Sequence, residues 1–125
     1  MREYIIVIIT AIIMLFLDSI YLNVFSGFFN NVVRNVQGSP IKFNVLVAVL
    51  CYILLIGGLN YFIISKRKPL LDAFILGIVI YGVYETTTYA LLENWSPKAV
   101  ILDTLWGGIL FTLTTYFTYL FLQTQ

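Results

Sequence analysis

Four apolar stretches, residues 4–25, 43–64, 70–92 and 98–122, fill most of this 125-residue chain and leave it one solvent in which it can fold. Each falls within the roughly 17–25 residues that a helix needs to cross the ~30 Å hydrocarbon core of a bilayer. The chain is 61% hydrophobic and only 10% charged, too little polar surface to coat a water-soluble domain. In hydrocarbon every backbone N–H and C=O must be paired inside the protein, so a crossing segment is a helix or a barrel strand. Runs this long without period-two alternation are helices. The expected architecture is an all-α, integral membrane four-helix bundle, one transmembrane domain spanning residues 1–125.

Composition also removes function classes. Met1-Arg2-Glu3 ahead of an apolar run has the look of a secretory signal. That run is longer than a signal core, though, and no small-x-small cleavage pattern precedes Asp18, so it reads as a retained span. Cys51, the one cysteine, lies inside the second span, so no intrachain disulfide forms. A net charge of +1 offers no polybasic face, and no nucleic-acid partner is expected. With no histidine there is no His-based triad and no His metal site, and a single cysteine without a base is a poor nucleophile. No catalytic residue, metal or cofactor is therefore assigned, and a membrane enzyme using carboxylates as acid and base is the least supported class.

The connections have their own patterns. Phe25, Phe28, Phe29, Val32, Val33 and Val36 recur at helical spacing, opposite Ser26, Asn30, Asn31, Arg34 and Asn35. This predicts a short interfacial amphipathic helix over residues 25–37, ending at Gly38-Ser39-Pro40. A plain extension of the first span is the alternative, because Gly27 only weakens a helix. The short turn Ser65-Lys66-Arg67-Lys68-Pro69 makes the second and third spans antiparallel neighbours. Before the last span, Ser96 fits an N-cap and Pro97 the first helical position, with Trp95 at headgroup level. Arg2, Lys66, Arg67 and Lys68 on one side against Arg34, Lys42 and Lys98 on the other favour both termini in the cytoplasm.

Asp18, Glu85 and Asp103 lie inside the first, third and fourth spans, and a count places them at one depth. At about 1.5 Å per residue, Asp18 is ~21 Å along the first span and Glu85 ~22 Å along the third. Asp103 enters from the opposite side, ~9 Å in, which leaves ~21 Å of a ~30 Å core. A carboxyl group facing lipid costs several kcal/mol, so all three are expected to point into the bundle, converge and share protons. Helical spacing adds Tyr21, three after Asp18; Tyr81 and Tyr84, with Tyr81 four before Glu85; Thr88, four after Tyr84; and Trp106, three after Asp103. These eight residues form the candidate proton- or ligand-binding site. One reading makes it a site for protons, cations or a small polar ligand, in transport or binding. The other makes it polar glue in a structural or assembly protein, where interhelical hydrogen bonds average about 0.6 kcal/mol. Ala73 and Gly77, Gly57-Gly58 and Gly107-Gly108 are candidates for close helix approach. The lipid bilayer is the expected partner, with a homo-oligomer or neighbouring membrane or capsid proteins beside it, since four helices enclose little volume for a path.

Taken together, Leu17-Asp18-Ser19-Ile20-Tyr21, Gly77 through Tyr81, Tyr84-Glu85-Thr86-Thr87-Thr88, Trp95-Ser96-Pro97 and Asp103-Thr104-Leu105-Trp106-Gly107 resemble a family of small four-span membrane proteins, domain of unknown function 2177. The resemblance covers nearly the whole chain, and Asp-x-x-Trp-Gly is its most specific element. Tyr21 stands where the family has Trp, Glu85 where it has Asp, and Thr88 where it has Asn. Members are bacterial, with related sequences in large DNA viruses, so the resemblance implies a four-span fold and a set of polar positions. It also admits work in a viral internal membrane.

Overall fold

Residues 2–123 are described by the computed structural model, and among them the chain forms four α-helices and no strand. Met1 and Gln125, whose side of the membrane the charge count addresses, lie outside the described residues. Helix α1 is Arg2–Gln37, α2 is Val45–Leu59 continued by a π-helical turn over Asn60–Ile64, α3 is Leu70–Leu91 and α4 is Pro97–Gln123. Counting α2 with its π turn, all four are long and apolar enough to cross a membrane.

Local chemistry sets the ends. Gly38, at φ 78°, takes the left-handed conformation that closes α1, and its N–H donates to the Arg34 carbonyl at 2.8 Å. Asn44 caps α2 by accepting from the Val47 N–H at 3.1 Å. Ser96 Oγ accepts from the Ala99 N–H at 3.2 Å, with Pro97 as the first helical residue of α4, as the sequence predicts. At the foot of α2 the Ser65 N–H reaches the Asn60 carbonyl at 2.8 Å, five residues back. That wider turn helps bury Asn60, whose side-chain amide donates to the Ile56 carbonyl at 2.9 Å.

The separate interfacial helix over residues 25–37 is not formed as its own element; α1 runs through this segment without a break to Gln37. Gly27 is the only weak helix former there able to interrupt it, and a lone glycine costs about 1 kcal/mol without reversing the helix. Phe25 and Phe29 also hold the continuation, packing on the Tyr21 ring at 5.2 and 6.0 Å. With 36 residues, α1 is about 54 Å long at ~1.5 Å per residue. That exceeds a ~30 Å hydrocarbon core, so its polar last third extends past the depth of one span.

The core is formed by Met14 of α1, Leu55, Ile56, Leu59, Ile63 and Ile64 of the second span, Ala73 of α3, and Leu110 and Phe111 of α4. Helices α3 and α4 make the largest contact. It is possible because Gly77 lies directly against the Gly107 carbonyl and Gly108, with Gly108 under Phe74 and Ile78. A β-carbon at Gly77 would collide with the Gly107 backbone. The expectation for Gly57-Gly58 is corrected: no atom lies within 4 Å of a β-carbon built at either, so no helix closes on them. Gly57→Ala should therefore be neutral or stabilising by roughly 0.5 kcal/mol, through helix propensity alone. Thermal unfolding in detergent checks this, and a clear loss would reveal a contact to that face.

Helix α2 is joined to the bundle by one half only. Its buried residues begin at Leu55, while Val45, Leu46, Val47, Val49, Leu50, Ile53 and Leu54 are all exposed. Its N-terminal half stands off from α1 and α3, and that separation creates the cavity described next.

Candidate functional site

Antiparallel packing of α1 on α4 brings Asp18 level with Trp106, and Tyr21 level with Asp103. Each aromatic residue bonds to the acid of the other helix. Trp106 Nε1 donates to Asp18 Oδ1 at 2.8 Å, and the Tyr21 hydroxyl donates to Asp103 Oδ1 at 3.1 Å. Between these bonds the two rings stack in parallel, 4.6 Å apart and 1° from coplanar. An Asp-x-x-aromatic pair on one helix thus clasps an Asp-x-x-aromatic pair on the other. The spacing of three seen in the sequence picks out the right residues, and the bonds run between helices rather than within them.

Two further donors complete the cluster. The Tyr52 hydroxyl of α2 bonds Asp18 Oδ2, and Trp95 Nε1, in the turn before α4, donates to Glu85 Oε1 at 3.0 Å. Glu85 is 1% exposed and Asp18 6%. The Glu85 and Asp103 carboxyl groups are neighbours, close enough to interact electrostatically. Contacts run from Tyr52 through Asp18 to Trp106, then across the ring stack to Tyr21 and Asp103, with the Trp95–Glu85 pair beside Asp103.

Of the eight residues singled out by spacing, Asp18, Tyr21, Glu85, Asp103 and Trp106 meet in this cluster. Tyr81 lies beside it, its ring pressed on Gly107 and edge-on to Phe111 at 6.2 Å, and Glu85 takes its side-chain donor from Trp95 instead. Tyr84 is 60% exposed, at the rim. Thr88 turns its hydroxyl to the Tyr84 carbonyl of its own helix, at 2.8 Å. Tyr52 and Trp95 are the members that sequence reasoning passed over. Depth alone could have flagged Tyr52: it lies about 14 Å from the start of its span at ~1.5 Å per residue, within ~6 Å of the carboxylate layer.

A cavity of about 730 Å³ lies between the free half of α2 and the faces of α1 and α3. Asp18, Tyr21, Tyr52, Tyr81, Tyr84 and Asp103 are its polar lining, and Leu22, Phe43, Val47, Ala48, Leu50, Leu54, Leu55 and Ile80 its apolar walls, with Cys51 among them. Glu85 is not part of its lining and communicates with it through Asp103. Every Lys and Arg lies near a helix end or in a connection, at positions 2, 34, 42, 66, 67, 68 and 98.

A family model described as a predicted membrane protein, DUF2177, matches residues 4–120. No curated protein matches the chain, and no solved structure does.

Proposed function

We propose that this chain, which belongs to the DUF2177 family of predicted membrane proteins, is a multi-pass membrane protein that binds a proton or a cation at Asp18, Glu85 and Asp103 and uses that charge in transport or ligand binding. One observation carries the reading: three buried or half-buried carboxyl groups gather in one region of the bundle, each accepting from a Tyr or Trp and none from a Lys or Arg, and two of them open onto a cavity. Burying uncompensated carboxylates costs several kcal/mol. A bundle that needed only register could use the same aromatic donors with neutral acceptors. In this reading Glu85 is the proton carrier, reached from the cavity through Asp103, and a path across the membrane needs more than one copy, since four helices enclose little volume.

A second reading has its own support. Each carboxylate accepts from a Trp or Tyr, and three of these four donors sit on a different helix from their acceptor, as cross-links between helices would. The protein would then be a structural or assembly component of a cellular or viral internal membrane, with neighbouring membrane or capsid proteins as partners.

Carboxyl-stretch infrared spectroscopy across pH separates the two. The proton-binding reading expects a protonated carboxyl band that titrates between about pH 6 and 8, outside the range of free Asp and Glu. In Glu85→Gln that band should shrink or move while the protein still folds. A wild-type spectrum without such a band would leave the structural reading in its place.

A further inference from the structure

We propose that the cavity between α2 and the α1/α3 faces is a binding site for a lipophilic amine: an amphiphile with an ammonium head and a single hydrocarbon tail, entering sideways from the bilayer. This rests on the reading of Asp18 and Asp103 as a cation-binding pair and names the class of cation. The cavity has two chemically distinct kinds of lining. Asp18 and Asp103 present carboxyl groups together with Tyr21, Tyr52 and Tyr81. The remaining walls are mainly aliphatic and belong largely to the half of α2 that is exposed.

Charge decides the head group. A carboxylate has about four lone-pair positions, and the Asp18 oxygens accept one bond each, from Trp106 and Tyr52, while Asp103 Oδ1 accepts from Tyr21. Acceptor capacity remains for a cationic donor, and no Lys or Arg of this chain lies at that depth to use it. An anionic head would meet two like charges. A neutral head would leave them uncompensated. Aromatic faces beside the carboxylates attract an ammonium further, through the negative face of each ring.

Shape and location decide the tail. About 730 Å³ falls within the range of ligand sites, roughly 300–1,000 Å³, and far exceeds what a bare metal ion or ammonium would fill. Because the cavity is lined by helices long and apolar enough to span hydrocarbon, lipid is the medium from which a ligand would reach it. A ligand arriving there is already dissolved in the membrane.

The test uses the full chain in nanodiscs of zwitterionic lipid, titrated with dodecylammonium and, in parallel, with dodecanol and with methylammonium. Empty nanodiscs supply the partitioning background. Above that background the amphiphilic cation should bind saturably, with at least tenfold higher affinity than either the neutral chain or the head group alone. Ala48→Phe, which narrows the cavity from its apolar wall, should lower that affinity at least threefold and leave the infrared carboxyl titration as in wild type. Asp18→Asn should lower affinity at least tenfold. Equal binding of cation and alcohol, or full binding by Ala48→Phe, overturns the proposal, and the ligand comparison on wild type decides it even if Asp18→Asn fails to fold. Loss of the amine result with the carboxyl titration intact leaves the proton-binding reading standing; loss of the titration itself removes that reading too.

Discussion

Gly77→Val should yield little or no folded protein. The position faces the Gly107 carbonyl across the α3–α4 contact, and the obstacle to any side chain there is backbone rather than a movable side-chain tip. Overpacking in a flexible core costs about 1–3 kcal/mol. Here the two helices would have to separate along the largest contact in the bundle, so about 3 kcal/mol or more is expected. Gly77→Ala should lose less, in the same direction, while Gly57→Ala on the open face of α2 should lose nothing. Unfolding midpoints in detergent, together with the monodisperse fraction on size exclusion, check the series. A Gly77→Val protein as stable as wild type would mean that α3 and α4 do not cross at these glycines.

Asp18→Ala is the second large effect, with an expected loss of about 2 kcal/mol. Its removal strands two donors from two other helices, the Tyr52 hydroxyl and the Trp106 indole N–H. An unsatisfied buried donor costs about 1–3 kcal/mol in a soluble core. Interhelical bonds in membranes average only about 0.6 kcal/mol, because separated helices find other partners in lipid, so the lower end of the sum is the expected one. Asp18→Asn keeps an acceptor and should lose less than half as much. In a double-mutant cycle, Tyr52→Phe should be costly in wild type and nearly silent beside Asp18→Ala. If both Tyr52→Phe costs are the same, the two residues are not coupled.

Hydropathy gave three of the four helices almost to the residue, since bilayer thickness fixes their length: 70–92 against Leu70–Leu91, 98–122 against Pro97–Gln123, and 43–64 against Val45–Ile64. It failed at the end of α1, where a change from apolar to amphipathic pattern was read as a change of element. A helix can pass from hydrocarbon to interface without breaking when only Gly27 invites a break. For the site, the cost of a carboxyl group in lipid made Asp18, Glu85 and Asp103 legible as inward-facing. Their partners were less so. Spacing of three or four finds neighbours on one helix, but Trp106 and Tyr21 bond across helices, and Trp95 reaches Glu85 from a turn. Tyr84 shows the opposite failure: one residue from Glu85 along the chain, it is rotated by about 100° around the helix, and it emerges at the rim.

The crossed clasp of Asp18 with Trp106 and Asp103 with Tyr21 behaves mechanically as a pin. Sliding α1 along α4 by one turn, about 5.4 Å, would break both hydrogen bonds and unstack both rings together. Small tilts about the stacked pair keep all three contacts. Helix α2, anchored at its Leu55–Ile64 end and free at the other, is then the arm that can swing against a fixed post, with the Tyr52 hydroxyl on Asp18 as its latch. Swinging that arm outward needs the release of one hydrogen bond at the carboxylate layer, and the carboxyl group it releases is one that lines the cavity.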